Sequence, residues 1–322
     1  MSGRYLTGKV AGSLATLIFV VCFNFFLFRV VESDPVATLF RGRDLTQSQR
    51  AELTRQFGLD KSTGGQFVDY LKQTAQLNLG RSYTSNQPVW SEIKDKAGPT
   101  VALVGISAVF SAVLGVLLGI AAAWRRRTKA DYSITGFSMA TFSIPDFWLG
   151  MILLTVFAVA LGWLPTGGIE DPASTATGVP KLVDQAEHLF LPALTLTVAY
   201  LGEYALVMRS SLLDTMREDY LVLARAKGLR DVLVRNRHAV PNALLPVVAL
   251  LAINFGFVLA GAIAVEAIFS WPGLGLATYE AIKGPDLPML QGLFLVFSAA
   301  MIFFNLVADL LYGYLDPRVR EA

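Results

Sequence analysis

The groups with which this chain could bind a metal, move a proton or attack a bond stand apart from one another. His188 lies at the entrance of an apolar segment and His238 in a basic loop, with no paired ligand spacing between them, so metal catalysis is not expected. Cys22 is the single cysteine, which excludes an intramolecular disulfide and a cysteine-clustered metal site. Inside an apolar block it reads as packed or lipid-facing filler. Serine, aspartate and histidine occur in no recognisable paired motif at one depth, as an enzyme embedded in a membrane would need. The Gly8-Lys9 pair is followed by Val10, where a phosphate loop needs serine or threonine. No catalytic residue, metal site or bound cofactor is expected of this chain.

The polar groups that do call for an explanation sit inside apolar runs: Asn24, Asp146, Glu203, Asn254, Asn305 and Asp309. Each is costly in hydrocarbon, and so marks either a pathway or a hydrogen bond to a neighbouring helix or subunit. Glu203, Asn254 and Asp309, with Trp271 on an outer turn, are the candidates for a pathway or gate.

The elements that must position these groups are membrane helices. Of the 322 residues, 54% are apolar and 16% charged, and the mean hydropathy is +0.51. A soluble chain carries roughly a quarter of its residues as charges. The apolar residues cluster in blocks near the roughly 20 residues that a helix needs to cross a bilayer. Six such segments run approximately Val10–Val31, Val101–Trp124, Tyr132–Gly162, Leu189–Met208, Pro246–Ile268 and Met289–Tyr312. The first is too long for a cleaved leader, with no small-residue cleavage site after it, and reads as a retained span. The expected class is an all-α integral membrane protein in the lipid bilayer. No strand alternation points to a barrel, and a net charge of +2 gives no sign of a nucleic-acid surface.

Charge placement orients the spans. The connections between segments two and three and between four and five carry Arg125, Arg126, Arg127 and Lys129, then Arg209, Arg217, Arg225, Lys227, Arg230, Arg235 and Arg237. The positive-inside rule puts both in the cytoplasm, and with them both termini. On the other side Lys181 stands against Glu170, Asp171, Asp184 and Glu187, and Lys283 against Glu266, Glu280 and Asp286. The expected organisation is an N-terminal segment and first span over 1–31, an extracytoplasmic region with short helices over 32–98, and a core of five spans over 99–322 holding a cytoplasmic loop over 209–245. Within the outer region Thr46 and Gln49 form a capping box, Gly58 is placed to end the helix after it, and a second helix is expected at about Gln66–Ala75. The third segment is overlong, and Pro145 with Asp146 interrupts it. Ser143 and Asp146 are expected to cap the helical stretch after Pro145, whether an interfacial helix precedes the span or one tilted helix kinks at that proline.

Most informative is Glu218–Pro246, hydrophilic yet with apolar residues at helical spacing and Gly228 midway. Tyr220, Leu221, Ala224 and Leu229 are expected to pack while Arg225, Lys227 and Arg230 project, giving two short helices that meet at a glycine turn. Ala224, Gly228 and Pro241 stand at the spacing of the cytoplasmic loop of permease subunits in ATP-binding-cassette importers, which this stretch resembles. Val222 replaces the glutamate of the general motif, so no ion pair from that position is assumed. ARAKGL with RHAVPNALLP, FGLD at Phe57–Asp60, LNLGRSY at Leu77–Tyr83, SIPDFWLG at Ser143–Gly150, FSWPGLG at Phe269–Gly275 and LDPRVR at Leu315–Arg320 are similar to the dipeptide and oligopeptide branch. The long outer connection resembles its B-type permeases.

This resemblance implies a type I importer architecture. It would comprise a second permease of the C type, two ATP-binding subunits or domains holding ATP and Mg, and an extracytoplasmic substrate-binding protein. The stretch Ala224, Arg225, Ala226, Lys227, Gly228, Leu229 and then Pro241 would seat against the ATPase. Trp271–Gly275 with Leu276–Lys283 would form either a short outer helix resembling the family's gate or a simple turn. Peptides are the implied cargo, with haem, nickel chelates and oligosaccharides as alternatives. A stand-alone gradient-driven transporter would need mid-membrane charge relays, often with inverted repeats, and neither is present.

Overall fold

The computed structural model describes residues 3–31, 46–56 and 60–315, and among these it is helical, with no strand longer than the Arg81–Pro88 bridge. In chain order the helices are α1 Gly3–Phe25, which continues through a wide π-type turn Phe26–Val31, α2 Gln47–Gln56, α3 Thr63–Ala75, α4 Val89–Trp124, α5 Lys129–Ser143, α6 Asp146–Ala160 and α7 Val179–Thr215. After these come α8 Asp219–Ala226, α9 Asp231–Ala243, α10 Leu245–Ile268, α11 Leu274–Lys283 and α12 Leu287–Leu315. Leu6–Phe28, α4, α7 and Leu287–Leu311 are each long and apolar enough to cross a bilayer, and two bent pairs, α5 with α6 and α9 with the first half of α10, raise the number to six.

Each expected span is found, but two extend far beyond their apolar stretch. α4 begins at Val89 rather than Val101, and α7 runs from Val179 to Thr215 around a Leu189–Met208 core. Hydropathy marks the part of a helix that hydrocarbon surrounds, whereas backbone hydrogen bonding continues into water until a breaker stops it. α5 and α6 meet at 98°, so the third segment is two helices and not one kinked helix. The expected Ser143 cap does not form: its hydroxyl donates to the Met139 carbonyl, while Asp146 Oδ1 accepts from the Phe147 amide at 2.6 Å. Pro145 stands at the N-cap itself, where its φ of −60° starts the helix without needing a donor. In the outer region the Thr46 amide donates to Gln49 Oε1 and the Gln49 amide to Thr46 Oγ1, the reciprocal capping box expected there. Gly58, like most of the FGLD and LDPRVR stretches, lies outside the described residues.

α4 and α7 pack along one another as the central pair, with small residues at the seam. A β-carbon on Gly115 would meet Leu201 O at 2.7 Å, and one on Gly119 would meet Ala205 O at 2.6 Å, so these glycines let two backbones touch. Gly202 does the same for α5, 2.3 Å from Ser138 O by the same construction. α10 and α12 form the second packed pair, and α1 lies against α12, where Asn24 Nδ2 donates to the Gln291 carbonyl. In the most apolar stretch of α1 only 11% of the residues are buried by the chain itself, and in that of α12 the same share. These faces are apolar and unpacked, as helices that meet lipid or another membrane subunit are.

Candidate functional site

α8 and α9 form a knob on the basic end of the bundle. α8 places Asp219 in its first turn and Arg225 in its last, the polarity a helix dipole favours. It stops because Gly228 takes φ +79°, a left-handed conformation that side chains resist. The Gly228 amide then donates to Arg225 O at 2.9 Å, and the Leu229 amide to Ala224 O. Leu221 and Ala224 are buried, packed with Val234, Ala239, Ala243 and Val247, and with Met208 and Leu212 at the end of α7. Arg235 lies over the Trp124 ring at 5.7 Å, and so ties α9 to α4. The chain passes from α9 into α10 with a bend of 43°.

The two helices meeting at a glycine turn are as the spacing predicts, and Arg225, Lys227 and Arg230 project, as does Ala226. Tyr220 and Leu229 depart from expectation, since neither is packed away. Leu229 comes after the left-handed turn and so leaves the packed face of α8, while the Tyr220 hydroxyl accepts from Asn242 Nδ2 at 3.0 Å. Pro241 lies in α9 just after the wide π-type turns Val234–Ala239, at the start of the next regular stretch, where a missing amide is tolerated. Val222, Leu223, Leu229, Val232 and Leu233 are exposed together on the knob. The result is a packed base with uncovered apolar side chains on the outside of the knob.

The polar groups of the helix bundle divide by depth. Near the knob, Asp131 is buried and accepts a two-pronged bond from Arg209, at 2.7 and 3.0 Å, together with the Arg127 amide at 2.9 Å. This clamp fastens α5 to α7. Deeper in the bundle Asn254 of α10 donates to Glu203 at 2.9 Å and to the Tyr204 hydroxyl on α7 at 3.3 Å. Asp309 pairs with Lys9 at 3.0 Å, joining α12 to α1. Glu203 and Asn254 are thus brought together, while Asp309 is bonded elsewhere, to α1.

At the opposite end lies the group of which the residue spacing gave no warning. Glu266, with no exposed surface, accepts from Thr100 Oγ1 at 2.7 Å, the Gly275 amide at 2.7 Å and the Leu276 amide at 3.1 Å. Thr100 Oγ1 in turn accepts from the Leu274 amide at 2.7 Å. Trp271 is buried here, its Nε1 donating to Pro99 O at 2.9 Å. Leu274–Lys283 is a helix rather than a bare turn. Asp286 is likewise buried, accepting from the Ser82 hydroxyl at 2.5 Å and the Thr84 and Met289 amides. Both carboxylates looked like loop charges. The signal available for Glu266 was a carboxylate ending an apolar helix just ahead of a W-P-G-L-G turn whose next helix has only Gly273 at its cap.

His188 Nδ1 lies 3.2 Å from Asp184 Oδ1 on its own helix, and the His238 carbonyl accepts from Asn242. Among the described residues no three His, Cys, Asp or Glu side chains are placed to share a metal ion. Gly3 does stand upstream of Gly8-Lys9 at phosphate-loop spacing, but Gly3–Phe25 is continuous helix and forms no loop.

With this geometry in view, the similarities of the chain take on meaning. Residues 115–321 match the family model for a binding-protein-dependent transport system inner membrane component, and residues 2–104 match the model for the N-terminal part of such a component. The chain is 36% identical over 331 residues to a di/tripeptide transport system permease protein of Pseudomonas aeruginosa, covering 98% of both chains. It is 37% identical over 319 residues to a glutathione transport system permease protein of Escherichia coli, covering 98% of this chain and 99% of the relative. A solved structure of the MetNI methionine ABC transporter in an inward-facing conformation superposes with a TM-score of 0.57 at 16% identity, over 70% of this chain and 96% of the other. That last likeness is one of fold.

Proposed function

The chain belongs to the family of binding-protein-dependent transport system inner membrane components, is a multi-pass permease of the inner membrane, and, we propose, carries di- and oligopeptides inward under the drive of separate ATPase subunits. The cargo is inferred from the relatives, whose names specify di/tripeptides and glutathione. The observation that carries the mechanism is the knob. Leu221 and Ala224 root it in the core beside α7, and Val222, Leu223, Leu229, Val232 and Leu233 are left uncovered on its outside.

An apolar surface facing water is unfavourable by about 25 cal/mol for each Å² left wet, so a partner that covers it gains that energy. The partner in this reading is an ATPase subunit with a groove for Ala224–Leu229. Closure of two ATPases pushes the knob, and because its base is packed rather than tethered, α7 and α10 move with it. Outward and inward openings then alternate between this chain and a second permease of the C type, while a binding protein delivers cargo from outside. The basic knob end is cytoplasmic and both termini lie on that side, in keeping with the positive-inside rule. ATP and Mg belong to the partner subunits.

ATP-dependent uptake of labelled di- and oligopeptides into vesicles is the test, using this chain with its co-purifying subunits and binding protein. Uptake that needs both ATP and the binding protein supports the reading. Hydrolysis without peptide movement would redirect the cargo to haem, nickel chelates or oligosaccharides. A purified chain accompanied by neither an ATPase nor a second permease would overturn it.

A further inference from the structure

The first turn of α11 is capped by side chains from elsewhere in the chain. Its N-cap, Gly273, has no side chain to offer, and no capping bond comes from it. The amides of Leu274, Gly275 and Leu276, which a helix leaves unsatisfied at its start, are taken instead by Thr100 on α4 and Glu266 on α10. Thr100 and Glu266 are themselves joined. Among the described residues no cation is bonded to the carboxylate; three donors and the positive end of α11 face it instead.

The fit around this cap leaves no room to slide. A β-carbon on Gly273 would meet Glu266 Oε2 and Thr100 Oγ1 at 2.3 Å, and one on Gly275 would meet Ile263 Cα at 2.7 Å. Behind it Leu274, Ala277 and Ala281 pack with Val89 and Ile93 of α4 and with Met289 and Leu293 of α12. The far face of α11 stays open, with Tyr279 and Ile282 exposed. Glu266 stands in the last turn of α10, and the first turn of α10 comes directly after the knob.

We infer that Glu266, with Thr100, is the positioning residue that makes α11 travel with α10, so that movement received at the knob is delivered to a helix at the opposite mouth of the permease. The inference rests on the importer reading and adds to it a route: knob, α10, Glu266, α11. Packing alone would let α11 tilt, whereas three amide bonds converging on one carboxylate and one hydroxyl fix its angle to α10.

The test uses the assembled complex in vesicles, with Glu266→Ala, Glu266→Gln and Thr100→Val. The first removes the carboxylate cap, the second keeps a carbonyl oxygen for the Gly275 and Leu276 amides, and the third removes the bridging hydroxyl. Amide hydrogen exchange at residues 274–276 and peptide moved per ATP hydrolysed are measured together. In the alanine variant the amides are expected to exchange about tenfold faster, the effect of losing ordinary hydrogen bonds. Peptide moved per ATP falls several-fold in it while hydrolysis persists, and glutamine restores most of both.

Unchanged exchange, an unchanged ratio, or uptake and hydrolysis falling in parallel would each overturn the inference. If the alanine variant fails to assemble, Thr100→Val is read by the same measures. Failure of all variants to assemble would assign the cap to folding alone and overturn it as well. A wild-type complex that hydrolyses ATP but moves no peptide would overturn the peptide cargo of the importer reading, and the exchange measurement would still judge the cap on its own.

Discussion

Replacing Gly228 with valine separates two ways in which a glycine can matter. A β-carbon there meets nothing within 4 Å, so the chain itself has room for a side chain. The cost lies in the backbone: φ is +79°, and an L-residue in the left-handed region costs roughly 1–2 kcal/mol, with a β-branched residue at the upper end or beyond. Since each 1.4 kcal/mol is about a factor of ten, the ratio of formed to unformed turns falls roughly five- to thirtyfold. The base of the knob is buried independently through Leu221 and Ala224, so the fold survives and only the tip is misplaced. In proteoliposomes the expected result is ATP hydrolysis that responds less to the binding protein, with peptide uptake down by up to that same factor. Gly228→Asn, which tolerates the left-handed region better than other residues with a side chain, should recover much of the loss. Full uptake by the valine variant would refute the reasoning, and an asparagine variant as defective as the valine one would show that volume against a partner, not φ, is what the position demands.

Other consequences can be checked on the purified protein. Asp131→Ala leaves Arg209 without its buried partner and should cost about 3 kcal/mol, the low end of the usual range because Arg209 keeps some water contact. Its melting temperature should drop, and Asp131→Ala with Arg209→Met should recover part of that drop. Gly202→Ala drives a methyl to 2.3 Å from Ser138 O and 2.5 Å from Thr141 Oγ1, so α5 must move off α7 at a cost of about 1–3 kcal/mol, seen as earlier thermal unfolding in detergent. The Glu170 carboxyl is held below the ordinary glutamate range, first by Lys181 and then by Gln185. Its stabilisation is therefore complete at neutral pH and lost as pH falls through the depressed folded value. The difference in melting between wild type and Glu170→Gln should be small at pH 7, reduced by salt, and should vanish in acid.

Much of this protein could be read directly from residue order. Six apolar blocks near bilayer length require a helical membrane protein because hydrocarbon offers no partner for an open backbone. The capping box at Thr46 and the breaks at Pro145 and Gly228 are local, since caps and turns depend on neighbours within a few positions. Motif order along the chain pointed to the family for the same reason: each motif is a short contiguous string.

Residue order left open everything decided between distant residues. Whether Pro145 kinks one helix or separates two was settled at 98° by the packing of α5 and α6 on α7. Tyr220 was expected in the core and lies at the surface, because its hydroxyl is met by Asn242 from the other helix of the knob. Glu266 reads as one more outer carboxylate until Thr100, well over a hundred positions earlier, is brought beside it together with the first turn of α11. A carboxylate can be buried only where donors converge on it, and convergence from two other helices is a property of the fold alone.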